Sequence, residues 1–222
     1  MSDLTKLTIK NGTKDKATIW ITLGTPDPNS KIPAVENVND LVFNPAVELT
    51  QTPSNPKQGS FELGGGDEVE LSAPGTEAMN GNLSYEFAPT QCNPAVGVPP
   101  RDGATLAEFS LNGGQETLDV SCVAGINACW KCTMTGGEGW NAGPTQPTVT
   151  SIENKKFNEN AGQPGVYPYG CDDCTASVAP PSCIIPGKDN GTPQSEAICN
   201  VQRPGFDSPG GGSVVYEFAG AM

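Results

Sequence analysis

Short apolar alternations, none longer than a strand needs, are spaced along this chain between clusters of Gly, Pro, Asn and Ser. Leu7-Thr8-Ile9 and Ala17-Thr18-Ile19-Trp20-Ile21 alternate with period two on either side of Asn11-Gly12, which predicts an opening β-hairpin. Residues 24 to 57 are rich in Pro, Asn and Ser and read as a long ordered loop, or an edge strand around Leu41-Val42-Phe43. Strand signals return at Ser60-Phe61-Glu62-Leu63 and Glu68-Val69-Glu70-Leu71, and Gly64-Gly65-Gly66 between them predicts a second hairpin. The clearest pattern runs from Ala104 to Val123, alternating on both sides of Asn112-Gly113-Gly114, and predicts a third. From Cys129 to Cys199 the chain reads as loop, and Ser213 to Phe218 is the last strand expected. No internal repeat is present.

Strands at both ends with a cysteine-rich stretch between them predict an all-β protein, an antiparallel β-sandwich whose first and last strands share one core. The expected division is a sandwich of residues 1–128 and 206–222, with residues 129–205 as a disulfide-rich loop lobe beside it. A groove between the two is the expected binding site. The 222 residues suffice for one core and a smaller satellite, and 27 Gly with 21 Pro leave helices little room.

The formal charge of −13 argues against nucleic acid and anionic membranes as partners, because affinity for phosphate comes largely from Lys and Arg. With no histidine, Ser-His-Asp and Cys-His mechanisms are excluded, and carboxylates must carry any catalysis. The eight cysteines, Cys92, Cys122, Cys129, Cys132, Cys171, Cys174, Cys183 and Cys199, read as four disulfides formed in an oxidising compartment. Asn11-Gly12-Thr13, Asn82-Leu83-Ser84 and Asn190-Gly191-Thr192 are glycosylation sequons consistent with an extracellular location, although the residues after Met1 lack the apolar core of a signal peptide. Cys129-x-x-Cys132 with Cys171-x-x-Cys174 also has the spacing of a zinc site, but four further cysteines favour disulfides, and no metal or other cofactor is expected.

The third hairpin carries the candidate chemistry. A Gly113-Gly114 turn places Glu108 directly opposite Asp119, whereas an Asn112-Gly113 turn makes them diagonal neighbours; both leave the carboxylates on one face, and a three-residue loop separates them. Opposed like charges raise at least one pKa or call for a cation or ligand in compensation. The plain alternative is a solvated face on a very acidic protein.

Ala104-Thr105-Leu106-Ala107-Glu108-Phe109-Ser110-Leu111, then Leu118-Asp119-Val120-Ser121 and Gly125-Ile126-Asn127, closely resembles a hallmark segment of thaumatin-like proteins. The opening strands, Gly59 to Leu71, and Gly165-Val166-Tyr167-Pro168-Tyr169 ahead of Asp172-Asp173 resemble other parts of that family. The resemblance implies an antiparallel sandwich, a disulfide-rich lobe, and between them an acidic cleft that in many members carries one Arg, one Glu and three Asp. That cleft is associated with β-1,3-glucan binding and sometimes with weak endo-glucanase activity. Position by position, the Glu corresponds to Glu108, one Asp to Asp119 and another to Asp172 or Asp173. The family's remaining Asp is Ala124 here, and the segment expected to hold the Arg reads Asn82-Leu83-Ser84-Tyr85-Glu86, leaving Arg101 as a substitute.

In a hydrolytic reading Glu108 is the acid and Asp172 or Asp119 the ionised partner. The two departures favour binding of a polysaccharide without efficient turnover, with Trp130, Trp140, Tyr167 and Tyr169 as candidate aromatic platforms. The other reading is a structural or assembly protein that self-associates through sandwich edges and has discarded the cleft chemistry.

Overall fold

The computed structural model describes residues 4–25, 30–86, 104–121, 127–137, 139–141, 150–153, 156–157, 169–170, 198–203 and 210–221. Among the described residues, fifteen strands and one short 3-10 turn make up the regular structure, and the fold is all-β as the periodicity requires. Among the described residues no helix is long and apolar enough to cross a membrane.

One sheet has six strands in the spatial order Ser151–Glu153 (β11), Ala128–Thr135 (β10), Ser213–Ala221 (β15), Lys6–Asn11 (β1), Glu68–Ser72 (β6) and Val42–Asn44 (β3). The other has seven: Ile198–Arg203 (β14), Glu116–Ser121 (β9), Leu106–Leu111 (β8), Met79–Tyr85 (β7), Ala17–Leu23 (β2), Asn55–Leu63 (β5) and Thr50–Thr52 (β4). Lys156–Phe157 (β12) and Tyr169–Gly170 (β13) pair separately. Among the described strands, all pairings are antiparallel except that of β1 with β15, by which two segments near the ends of the chain lie side by side in one sheet. The inward positions of both sheets, among them Ile19, Ile21, Leu71, Leu83, Leu118 and Val214, are fully buried and form one core. Tyr216 crosses that core from β15, its hydroxyl 2.5 Å from the Glu108 carbonyl and 3.1 Å from that of Asp119 on the facing sheet.

Two expected hairpins are instead arches between the sheets. β1 and β2 lie in different sheets, and so do β5 and β6. The reason lies in Asn11, whose buried side chain donates to the carbonyls of Asp15 (2.8 Å) and Leu63 (2.9 Å) and accepts from the Thr13 backbone N–H. Asn11 therefore builds a corner, where a tight two-residue turn would have kept both strands in one sheet. The second corner packs onto the first: a Cβ at Gly65 would stand 2.2 Å from the Lys14 carbonyl oxygen, so only glycine lets the two backbones meet. The same burial removes Asn11 from solvent as a glycosylation acceptor. The third hairpin is observed as expected, and Leu41-Val42-Phe43 contributes the edge strand β3.

Of residues 129–205, those of β10 from Cys129 onward, β11 and β14 are strands of the two large sheets. Cys129 and Cys132 lie on β10, three residues apart on an extended strand, or about 10 Å, which is beyond the span of a disulfide. Cys132 does not meet the four-bridge expectation: it is a free thiol in the core, 3.7 Å from the Met134 sulfur and beside Tyr216, and burial pushes its pKa up. Cys199 lies on the backbone of β14, while Cys92, Cys122, Cys171, Cys174 and Cys183 lie outside the described residues.

Among the described residues, the core also holds an ion pair. Arg203 at the end of β14 donates to Glu116 at the start of β9 over 2.5 Å, both about 1% exposed. The guanidinium also donates to Thr5 Oγ1 and to the Gly211 carbonyl, each at 2.6 Å, and stacks 4.3 Å from the centre of the Trp140 ring. Glu116 in turn accepts from the Asn112 backbone N–H (2.9 Å) and from the Thr5 hydroxyl (2.7 Å). Removing one partner of such a pair leaves a buried charge uncompensated, at a cost of about 3–5 kcal/mol. Glu116→Gln and Arg203→Met should therefore each lower unfolding free energy by about that amount, and the double variant by clearly less than the sum. Additive losses in urea titrations would show that the two side chains do not act as a pair.

Candidate functional site

The hairpin of β8 and β9 sets the geometry of the site. Its register pairs Glu108 with Asp119, the arrangement expected for a turn centred on Gly113-Gly114. Asn112, at φ 62°, and Gly114, at φ 131°, carry the left-handed conformations the reversal needs. Ala107, Phe109, Leu118 and Val120 point into the core, so alternation turns Glu108 and Asp119 to the outer face of the seven-stranded sheet. Both are half-buried there.

The row continues across the sheet. Asn82 on β7 pairs with Glu108, and Thr22 on β2 pairs with Asn82. The adjacent row runs Asn80, Ser110, Thr117. Asn80, Asn82, Glu108, Ser110, Thr117 and Asp119 line a shallow depression of about 250 Å³ open to solvent, and among the described residues no Lys or Arg lines it. Trp20 stands on the same outer face, beside the row, with its indole N–H donated to the Glu86 carbonyl at 3.0 Å.

Glu108 and Asp119 share a hydrogen bond. Burial is the main cause that raises the Asp119 pKa well above the usual carboxylate range; the Glu108 charge and the bond to Glu108 raise it further. Burial also raises Glu108, while the bond from Asp119 opposes the rise. The two carboxyls together therefore hold a proton to higher pH than free carboxyls do. Among the described residues, Asp119 Oδ1 and Asn82 Oδ1 are buried oxygens without a donor.

Of the residues singled out from sequence, Glu108 and Asp119 are brought together. Arg101, Asp172 and Asp173 lie outside the described residues, as do Ala124 and Tyr167. Trp130 is fully buried and Trp140 is 3% exposed beneath Arg203, so neither forms a surface platform. Asn82 was missed as a site residue because β7 itself was: Gly81 and its flanking asparagines have low strand propensity. The available signal was the polar alternation Asn80, Asn82, Ser84.

No family model matches the chain. Over 50 residues it is 48% identical to Thaumatin-like protein 2 of Prunus persica, a match that takes in 22% of this chain and 19% of that protein. Among solved structures, the thaumatin-like xylanase inhibitor TLXI aligns over 96% of this chain and 99% of its own, at TM-score 0.40 and 14% identity. The protein elicitor MoHrip2 from Magnaporthe oryzae aligns over 97% and 99%, at TM-score 0.38 and 8% identity. The resemblance read from the residues is that of a divergent thaumatin-like chain.

A raised native pKa favours folding while the group is protonated. The pair's contribution is therefore complete below about pH 4, where unfolded carboxylates also hold their protons, and is lost as pH rises through the higher native values. Urea midpoints measured from pH 4 to 8 should fall for the native chain relative to Asp119→Asn, in which no proton is lost. Parallel profiles would contradict the shared proton.

Proposed function

We propose that this chain is an extracellular thaumatin-like protein that binds a β-1,3-glucan-type polysaccharide on the acidic outer face of its seven-stranded sheet, without hydrolysing it through the Glu108–Asp119 pair. The observation that carries this reading is the hydrogen-bonded carboxyl pair set in an open polar depression beside two acceptor oxygens that lack donors. Sugar hydroxyls are donors as well as acceptors, and they would satisfy Asn82 Oδ1 and Asp119 Oδ1 without displacing the pair's proton. Asn80, Ser110 and Thr117 offer further partners in the next row, and Trp20 provides the apolar surface that the buried Trp130 and Trp140 do not.

The same geometry argues against turnover by this pair. Glycoside hydrolysis places its two carboxyl groups about 5–5.5 Å apart for retention or about 6.5–9.5 Å apart for inversion. Carboxyls bonded directly to each other are closer than either, so a catalytic role for Glu108 would require a different partner, such as Asp172.

Co-sedimentation with insoluble β-1,3-glucan at fixed ionic strength tests the binding. The native chain should be retained, and the Glu108→Gln, Asp119→Asn double variant should lose retention about tenfold. Retention of neither protein would remove the glucan reading in favour of an assembly role, which sizing chromatography would show as self-association.

A further inference from the structure

We infer that a cavity at one end of the sandwich binds a small amphiphilic cation, an alkyl or aryl amine, with its apolar body against both sheets and its ammonium group against Glu77. The cavity has a volume of about 600 Å³, opens to solvent, and lies where β1 and β15 begin and β6 and β10 end. Natural small-molecule sites span about 300–1,000 Å³, so the space suits a ligand of that class. It is separate from the outer face, because none of its lining residues also lines the depression beside Glu108 and Asp119.

Its apolar surface comes from Leu4, Leu71, Ala73 and Met79. Leu4 and Ala73 are only half-buried, so a ligand seated there removes further apolar surface from water. Met79 contributes an unbranched thioether that adapts to bodies of different shape. Two buried polar residues of the lining are already engaged: the Thr5 backbone and the Asn112 amide bond each other at 2.8 and 3.0 Å, and the Thr5 hydroxyl lies 2.7 Å from Glu116. Recognition of a polar head group therefore falls to the charged side chains.

Those are Lys6, Glu70 and Glu77. Lys6 lies 3.7 Å from Glu70, and the two offset each other. Glu77 is half-buried and has no ion-pair partner among the described residues. A turn fixes its backbone, its N–H donating to the Pro74 carbonyl at 3.3 Å. One carboxylate is thus left over beside an apolar surface, and the chain's formal charge of −13 adds a field that concentrates cations and repels anions. An amine on an apolar body complements both features. A neutral molecule of the same shape leaves Glu77 uncompensated, and an anion is repelled by it.

NMR titrations of the full chain with 4-phenylbutylamine, 4-phenylbutanol and 4-phenylbutyrate at pH 7.5 test it, because the three share one apolar body. The amine should bind at one saturable site with a dissociation constant on the order of 1 mM, about fivefold tighter than the alcohol, with the carboxylate weakest. Glu77→Gln should bring the amine to the alcohol's affinity and leave the alcohol unchanged. Ala73→Leu, which fills the cavity from a half-exposed position, should weaken amine and alcohol alike by about fivefold or more, with far-UV circular dichroism confirming the fold. The Glu108→Gln, Asp119→Asn double variant should bind the amine as the native chain does, so the outcome is independent of the glucan reading. No saturable binding, no preference for the amine, a preference that survives Glu77→Gln, or binding untouched by Ala73→Leu overturns the inference.

Discussion

The ion pair between Glu116 and Arg203 ties together segments that are remote in sequence. Through Thr5 it holds the chain just before β1, through Asn112 the turn of the β8–β9 hairpin, and through Gly211 the approach to β15. Asn112 also accepts from the Thr5 backbone N–H at 2.8 Å and donates to the Thr5 carbonyl at 3.0 Å, pinning the hairpin loop to the start of the chain. A one-residue slip of that hairpin would break these bonds and turn one of the two carboxylates into the core. The position of the outer-face row is therefore set from inside, by the buried Glu116–Arg203 pair and its bonds to Thr5, Asn112 and Gly211.

The legible parts of the sequence were those in which a local pattern and the tertiary structure agree. The stretch from Leu106 to Ser121 alternates strictly about its turn, and the structure returns that register, including Glu108 opposite Asp119. The Asn11-Gly12 and Gly64-Gly65-Gly66 segments are turns too, but their flanking strands belong to different sheets. Local periodicity is the same for a hairpin and for an arch. What decides between them is whether the turn's polar groups bond within one sheet or, as with Asn11, to a corner contributed by residue 63. Arg203 was illegible for another reason. Its partner lies 87 residues earlier, and nothing in a lone arginine near a proline marks it as buried.

Trp130 and Cys132 show how strand formation reassigns residues that a cysteine motif had seemed to claim. In a loop, a C-x-x-C spacing brings two sulfurs together. On β10 the same spacing extends them, turning Cys132 inward with Trp130 and Met134. The core thereby gains a large indole, tilted against the Phe218 ring, at the position that composition alone would have offered to a ligand.

The outer face owes its order to what lies beneath it. Tyr216 spans the core to the backbone carbonyls of Glu108 and Asp119, the two residues whose side chains point the opposite way. Those strands cannot separate without breaking that contact in an apolar interior, where a freed phenol and carbonyls would go unsatisfied. The carboxyls are thus presented by a backbone that is braced from below. A polar pair held this firmly has little freedom left to lose on meeting a ligand, and that reduces the entropic cost of binding whatever satisfies the two remaining oxygens.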